Sequence, residues 1–160
     1  MSFWSVGEAQ WAAELAEPGA STSLHPAWLP VLGTVPLFRT FSQRHLRRVA
    51  AVAELRRYRP GSQVVRAGGR GDAFYIILDG AAEVATPSGH IHPLVAGDFF
   101  GELALLDGAP RAATVTAVDS LATGRIPRSA FLKLLKEEPS MALELSRGLV
   151  ALIRDMQNEE

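Results

Sequence analysis

Residues 99–115 read FFGELALLDGAPRAATV and interrupt a series of short β-rich runs with a single turn of helical pattern. The helical turn, residues 102–106, starts directly after Gly101, which has no Cβ and therefore lets another group approach the backbone closely. Backbone N–H groups at the start of a helix attract anions, and Arg111 adds a guanidinium that pairs well with phosphate. The stretch therefore predicts a binding site for a small anion.

Glu102 and Arg111 are expected to bind different parts of the ligand. Arg111 is predicted to pair with phosphate oxygens, whereas the Glu102 carboxylate would accept the hydrogen bond of a ribose 2′-OH. The ligand would also receive hydrogen bonds from the backbone N–H groups of Leu103, Ala104 and Ala112. The pattern favours a ribose phosphate. The alternative is that Arg111 and Glu102 form a structural ion pair with no ligand.

The sequence around this stretch is rich in strand patterns from Pro60-Gly61 onward. Turn residues separate the runs about every eight to twelve residues, which is typical of a β-sandwich or a small barrel. Gly71 and Gly80 are predicted to be turn glycines that adopt positive φ. The predicted strands cover residues 55–59, 63–66, 74–78, 81–86, 91–95, 112–118 and 121–126.

Helical patterns lie on both sides of the β-rich region. Near the N-terminus, a capping pattern of Ser5 and Glu8 begins a predicted short helix that ends before Pro18-Gly19. Residues 1–24 are therefore interpreted as a helical extension with a linker, and residues 25–160 as the main domain. The main domain is predicted to contain two helices before the strands and two after them, at residues 26–32, from Ser42, around Phe131 and from Pro139 to about Gln157.

The composition limits the function classes. A chain of 160 residues has room for one globular domain of ordinary size, and the absence of cysteine excludes disulfides, thiolate catalysis and cysteine-ligated metals. Its 16 Lys and Arg against 17 Asp and Glu give a net charge of −1, so no overall field attracts nucleic acid or an anionic membrane. No run reaches the ~18 apolar residues of a membrane span and no signal peptide is recognisable, so a cytoplasmic protein is expected.

The stretch 99–115 resembles the phosphate-binding cassette of cyclic-nucleotide-binding domains, the family found in protein kinase A regulatory subunits, catabolite-activator-type regulators and cyclic-nucleotide-gated channels. The resemblance rests, at the spacing of the family, on Phe100-Gly101-Glu102, Ala104-Leu105 and Arg111-Ala112-Ala113. A weaker family pattern lies upstream, in Val64-Val65, Gly68, Gly71, residues 74–77 and Gly80. Gly69 departs from this pattern, because the family usually has an acidic or amide residue there. The resemblance covers about residues 28–157.

The resemblance implies a mainly β fold with flanking helices, namely an eight-stranded antiparallel β-roll of the double-stranded β-helix or jelly-roll type with N-terminal helices and two C-terminal helices. It also implies a cyclic nucleotide as the ligand, with no further cofactor. Ala112 favours cyclic AMP over cyclic GMP, because relatives that prefer cyclic GMP often have a threonine there whose hydroxyl can meet the guanine amino group. The implied ligand-binding residues are Phe100, Gly101, Glu102, Leu103, Ala104, Arg111, Ala112 and Ala113.

The last predicted helix carries two apolar stripes. The first, with coiled-coil spacing, consists of Ala142, Leu145, Leu149, Leu152 and Met156, and the second of Leu143, Val150 and Ile153. In catabolite-activator-type relatives the corresponding helix pairs two subunits, so the stripes are compatible with a homodimer and equally with packing inside one chain. Gln157 lies where those relatives contact adenine, although a solvated glutamine would suit the sequence as well. Ligand binding is expected to move the C-terminal helices, with Gly148 easing a bend.

Two other features of the sequence are not interpreted as binding sites. His90 and His92 share one face of a predicted strand, but Ala96 and Gly97 occupy the positions where a cupin-type metal site needs a glutamate, so no metal site is predicted. A basic stretch between Phe41 and Arg70 is interpreted as a solvated face, with an acidic protein partner as the next alternative.

The expected function is that of a sensor rather than an enzyme, because no nucleophilic grouping or metal cluster indicates catalysis on the nucleotide. No DNA-binding domain and no membrane helix is expected in these 160 residues. The signal would therefore pass to an unknown effector protein or act through dimerisation. The alternative function is a protein-interaction module that keeps the fold and binds no ligand.

Overall fold

Two four-stranded antiparallel sheets form the centre of the computed structural model, which describes residues 23–158. One sheet has the order β1-β8-β3-β6 and the other the order β2-β7-β4-β5. The strands are β1 Glu54–Tyr58, β2 Gln63–Val65, β3 Ala73–Asp79, β4 Ala81–Ala85, β5 Ile91–Val95, β6 Phe99–Phe100, β7 Thr114–Ala117 and β8 Leu121–Pro127. The predicted eight-stranded β-roll is confirmed. The seven sequence runs correspond to all strands except β6, whose two residues are too few to show a periodicity.

Helices flank the sheets at both ends of the described chain. The described residues contain the two 3-10 turns Pro26–Trp28 and Pro36–Phe38 and the five helices α1 Leu29–Leu32, α2 Gln43–Ala51, α3 Ala104–Asp107, α4 Arg128–Glu137 and α5 Pro139–Asn158. Of these, only α3 lies between strands, after β6 and before β7. The predicted helix of residues 5–17 lies outside the described residues. Leu24 is already buried and its N–H donates to the Ala50 carbonyl at 2.9 Å, so the packed region includes the residue before the predicted boundary.

Strand β3 lies between two hydrophobic clusters. Alternate side chains of a strand point to opposite faces. Phe74 and Ile76 therefore join the larger cluster, formed with the helices, whereas Ile77 joins the smaller one inside the roll. Both faces of β3 are covered, and only Asp79 at its end is exposed.

Gly80 and Gly71 are glycines for different reasons. Gly80 has φ of +84°, as predicted for a turn. The same prediction for Gly71 is wrong, because Gly71 is not among the positive-φ glycines of the described chain. A Cβ at Gly71 would instead overlap the Ala109 carbonyl oxygen and lie 3.0 Å from the Ala104 Cβ. The close approach of another backbone segment, and not the turn, therefore requires this glycine.

Helix α5 packs against the rest of the chain with part of its first stripe. Leu145 is buried and Leu149 packs against the larger cluster, so packing inside one chain accounts for these two residues. A Cβ at Gly148 would lie 3.1 Å from the Leu37 carbonyl oxygen, which shows that α5 runs very close to the 3-10 turn Pro36–Phe38. The apolar residues of α5 that are at least half exposed are Leu143, Val150, Ile153 and Met156.

An ionic cluster around the buried side chains of His45 and Glu138 joins α2 to the junction of α4 and α5. The two ring nitrogens of His45 contact carboxylates, Nε2 at 2.9 Å from Glu138 Oε2 and Nδ1 at 2.5 Å from Glu144 Oε2. The Arg44 guanidinium pairs with Glu138 at 2.8 Å, and so does that of Arg48. Part of the basic stretch noted in the sequence is thus used in ion pairs that hold the helices together.

Replacing Glu138 with glutamine should make stability less dependent on pH in acid. Burial alone would raise the pKa of Glu138, but the hydrogen bond to His45 and the charges of Arg44 and Arg48 outweigh it and hold the pKa below 4.5. The folded protein therefore keeps this carboxylate ionised at a pH where the unfolded chain binds a proton. The resulting stability is present above pH 4.5 and is lost as the pH falls through the lower, folded-state pKa.

Urea unfolding of Glu138→Gln, measured from neutral pH down to below pH 4.5, tests this. The variant should be less stable than the parent at neutral pH, and its stability should fall less steeply in acid. Glu137→Gln is the matched control, because the Glu137 side chain is 45% exposed against 9% for Glu138. Parallel stability curves for parent and Glu138→Gln would contradict the assignment.

Candidate ligand-binding site

A pocket of about 430 Å³ opens between α3 and the sheet that contains β2, β7 and β4. Its lining includes every predicted site residue of the stretch 99–115, namely Phe100, Gly101, Glu102, Leu103, Ala104, Arg111, Ala112 and Ala113. Gln157 does not line this pocket and is exposed near the end of α5. The lining residues that were not predicted to bind the ligand are Val65, Val84, Asp107, Ala109, Pro110 and Val115, although Val65 and Val115 belong to the family pattern seen in the sequence.

Arg111 is the buried cation of the pocket, with 8% of its surface exposed. Its Nη2 donates to the Ala73 carbonyl at 2.6 Å and lies 3.8 Å from Asp72 Oδ1, while its guanidinium carbon lies 5.7 Å from the centre of the Tyr75 ring. Burial lowers the pKa of the Arg111 guanidinium, and Tyr75 and Asp72 oppose this shift. No ion pair joins Arg111 to Glu102 within residues 23–158, so the structure does not contain the ion pair considered as the alternative.

The Nε–H of Arg111 is buried and has no hydrogen-bond partner among the described residues. A buried donor without a partner costs about 1–3 kcal/mol. An anion in the pocket could accept this hydrogen bond and remove the cost. The Nε–H of Arg111 is therefore a donor of the kind that pairs with acceptor oxygens, such as those of a phosphate.

Gly101 makes room for the arginine. Its φ is +82°, and a Cβ there would overlap Nη1 of Arg111 and lie 3.1 Å from the Ala73 carbonyl oxygen. The sequence predicted that some group approaches Gly101 closely. The structure identifies this group as the guanidinium of Arg111.

Glu102 is half-buried and connects the pocket to the N-terminal helical region. Its Oε2 accepts a hydrogen bond from the Leu37 N–H at 3.4 Å. Burial raises the pKa of Glu102 above its ordinary value, while the Leu37 N–H and the charge of Arg39 act in the opposite direction. A carboxylate in this position can accept hydrogen bonds from a hydroxyl-bearing ligand.

The backbone around the pocket is held by hydrogen bonds of its own. The Arg111 N–H donates to the Gly69 carbonyl at 2.9 Å, and the Gly68 N–H donates to the Arg111 carbonyl at 2.8 Å, so the departure from the family pattern at Gly69 leaves this pairing intact. The Ala104 N–H donates to the Gly101 carbonyl at 3.2 Å. Ala104 could serve a ligand, as predicted, only by sharing or giving up this bond.

Three valines form an apolar wall of the pocket. In the strand register Val65 is opposite Val115, and Val115 is opposite Val84, so the three lie side by side across β2, β7 and β4. A flat apolar group, such as a nucleobase, could lie along such a wall. The three valines fall inside strands that the sequence predicted, but their common face depends on the pairing of distant strands.

The sequence model of the cyclic nucleotide-binding domain matches residues 55–138, just over half of the chain. This chain belongs to the cyclic nucleotide-binding domain family. The resemblance stated from the stretch 99–115 is thereby confirmed.

Curated relatives of this cyclic nucleotide-binding domain include regulatory subunits of cAMP-dependent protein kinase. The subunit of Colletotrichum orbiculare is 36% identical over 106 residues, which is 65% of this chain and 27% of the relative. The subunit of Mycosarcoma maydis is 44% identical over 96 residues, which is 58% of this chain and 18% of the relative. The domain thus spans about a quarter or less of these relatives.

Solved structures agree on the fold. The N-terminal domain of a transcriptional regulator from Streptomyces coelicolor aligns with a TM-score of 0.71 and 24% identity, over 80% of this chain and 95% of that one. A cyclic nucleotide-binding-like protein from Brucella abortus aligns with a TM-score of 0.61 and 32% identity, over 68% of this chain and 97% of that one. Both support the β-roll described above.

Residues 23–158 contain neither a metal-binding cluster nor a membrane-spanning helix. No cluster of three or more His, Cys, Asp or Glu side chains suited to a metal ion occurs in that range. No helix in the same range combines the length and the apolar character needed to cross a membrane.

Proposed function

We propose that this cyclic nucleotide-binding domain is a cyclic AMP sensor whose ligand lies in the pocket of Arg111 and Glu102. The observation that carries the proposal is the buried Arg111 guanidinium, whose unpartnered Nε–H lies among residues that line the pocket. A cyclic phosphate supplies acceptor oxygens for this donor and a negative charge for the cation. The ribose 2′-OH would donate to the Glu102 carboxylate, and the Leu103 and Ala112 N–H groups would donate to phosphate or sugar.

The preference for cyclic AMP rests on Ala112. This residue lines the pocket next to the phosphate arginine, and its methyl group cannot form a hydrogen bond with the guanine amino group. One missing hydrogen bond changes a preference by only about 0.5–1.5 kcal/mol. Cyclic GMP should therefore still bind, with an affinity lower by roughly an order of magnitude or less.

Readout through α5 is supported by the position of the Leu37 N–H. This N–H donates to Glu102, and the Leu37 carbonyl lies against Gly148 of α5. A ribose 2′-OH that binds Glu102 would change the hydrogen bond between Glu102 and the Leu37 N–H. The 3-10 turn Pro36–Phe38 would transmit this change to α5. A ligand shifts such an equilibrium only by its difference in affinity for the two positions of the helix. Gln157 would reach the base only in a position of α5 other than the one observed.

The change in α5 on ligand binding would be passed to a second polypeptide. The exposed stripe of Leu143, Val150 and Ile153 could pair two copies of the chain, as a coiled-coil contact between two α5 helices. An effector protein is the other candidate, and the relatives named as kinase regulatory subunits favour an effector of kinase type. We propose no catalytic role for any residue of the pocket.

Calorimetric titration with cyclic AMP and cyclic GMP, with 5′-AMP as a control for the cyclic phosphate, tests the proposal. Cyclic AMP should bind most tightly, and at a hundredfold excess over its Kd it should stabilise the fold by roughly 2.7 kcal/mol. Hydrogen exchange on the same samples should show a change in α5. If neither cyclic nucleotide bound, the domain would instead be a ligand-free interaction module.

A further inference from the structure

A groove lies on the helix side of the sheet that contains β1 and β8. It consists of two adjoining cavities of about 270 and 220 Å³, which share Arg57 and Ala122 as lining residues. Arg57 is opposite Ala122 in the strand register, so the two side chains lie on one face. Ala122 belongs to the larger hydrophobic cluster formed with the helices, which identifies this face. Among the described residues, none lines both this groove and the pocket of Arg111.

The walls of this basic groove carry the exposed side chains of Arg57 and Arg59, which belong to the basic stretch noted in the sequence. Asp79 at the end of β3 contributes one carboxylate, so one positive charge is in excess. Arg56 also borders the groove, but strand alternation directs its side chain to the other face, where it pairs with Glu54 at 3.0 Å. The basic groove therefore suits an acidic occupant.

The N-terminal end of the described chain enters the fold next to the basic groove. Leu55, which lines the groove, is opposite Gly124 of β8. Leu24 lies over Gly124, because its Cδ2 is 2.7 Å from the position that a Cβ there would take. Gly124 and Ala122 are two residues apart on one strand, which is a distance of about 7 Å. The chain that precedes Leu24 therefore starts beside the groove.

Residues 1–22 carry the charge that the basic groove suits. They contain Glu8, Glu14 and Glu17 and neither Lys, Arg nor Asp. Glu17 precedes Ser23 by six residues, which span at most about 20 Å, so its carboxylate has a short path to the groove. A segment tethered in the same chain has an effective concentration of about the millimolar range, which favours it over a second copy.

The segment and the groove also match in their apolar groups. At helical spacing Glu8, Trp11 and Leu15 share one face, so the sequence offers a carboxylate together with apolar side chains. The groove offers Leu55 and Ala122 beside its arginines. Arginine is suited to such a mixed surface, because its guanidinium pairs with carboxylates and also stacks on aromatic rings.

We propose that residues 1–22 dock in the basic groove of the same molecule, with their glutamates paired to Arg57 and Arg59. The docked segment would cover the groove against acidic segments of other proteins. Exposed ion pairs are individually weak and are screened by salt, so the docking is reversible and weakens as the ionic strength rises. The inference is independent of the proposed function, because the groove and the ligand pocket have no lining residue in common.

A single introduced thiol reports the docking, because the chain contains no cysteine. Ala12→Cys places the thiol four residues after Glu8, and its reaction with an uncharged maleimide is followed in the full chain. We expect Arg57→Gln combined with Arg59→Gln to speed up the reaction about threefold to tenfold, as the loss of two exposed ion pairs allows. Arg56→Gln is the matched control and should leave the rate unchanged, because this side chain is on the opposite face of β1. Urea unfolding of each variant checks that the fold is retained.

An exchange of charges separates docking from a general loosening of the fold. Glu8→Arg with Glu14→Arg should release the thiol, and so should Arg57→Glu with Arg59→Glu, whereas the four substitutions together should restore the slow reaction. Equal rates for Ala12→Cys with and without the two glutamine substitutions would overturn the inference and assign the groove to an acidic segment of another protein. Protection that disappears on dilution would also overturn it, because the occupant would then be the segment of a second copy.

Discussion

Arg111→Ala is expected to weaken the binding of cyclic AMP roughly tenfold to a hundredfold, which corresponds to about 1.5–3 kcal/mol for a charge-assisted pair. The substitution removes the buried guanidinium that lines the pocket and its unpartnered Nε–H. Folding should survive, because the lost contact to the Ala73 carbonyl is compensated in part by the removal of a buried charge. Calorimetric titration of parent and variant gives the ratio.

Arg125→Ala is the control for this prediction. Arg125 is also largely buried, lies 3.4 Å from the same Asp72 and donates to the Tyr75 hydroxyl at 3.2 Å, but it does not line the pocket. Its loss should lower the stability of the fold more than the affinity for cyclic AMP. The phosphate role of Arg111 would be disproved by a variant that binds cyclic AMP as tightly as the parent, or by equal affinity losses for the two arginines.

Gly101→Ala should weaken the binding of cyclic AMP about as much as Arg111→Ala does, although it adds only a methyl group. The methyl would overlap the Arg111 guanidinium and force it out of its place beneath the pocket. The affinity should therefore fall about tenfold to a hundredfold, as it does when the arginine itself is removed. The backbone adds a separate cost of about 1–2 kcal/mol in stability, because alanine is strained at φ of +82°.

Gly61→Ala separates these two effects. Gly61 has φ of +84° and no atom within 4 Å of the position that a Cβ would take, so it carries the backbone cost without the overlap. It should lose a similar amount of stability and keep the parent affinity. The combined variant of Gly101→Ala and Arg111→Ala should bind no more weakly than the weaker single variant, since both act on one guanidinium. Additive losses would show that Gly101 acts on the ligand by another route.

The strands and the stretch 99–115 were predictable because both depend on local signals. Strand periodicity and turn residues predicted seven of the eight strands. Gly101, Glu102 and Arg111 lie within one short stretch of the sequence, and this stretch supplies most of the residues that line the pocket. Strand β6 was missed because two residues carry no period. The ligand roles of these residues remain predictions, since they depend on a molecule that the sequence can only imply.

The features that escaped prediction depend on contacts between distant residues. The reason for Gly71 is the approach of Ala109, 38 positions along the chain, and local turn chemistry gives no sign of it. The row of Val65, Val115 and Val84 depends on the register of three strands, and a shift of one residue would turn each side chain to the other face. The two stripes of α5 could be assigned only when the core contacts of Leu145 and Leu149 were known.

Strand β3 contributes one face to each hydrophobic cluster. The helical part and the pocket part of the molecule therefore share this strand and are not expected to unfold separately. Opening either side would expose apolar surface of the same strand, so the free energy of the whole fold opposes it. A ligand that stabilises the pocket therefore also slows the unfolding of helices that it does not touch. A weakened helix contact far from the pocket would, by the same coupling, reduce the fraction of molecules able to bind.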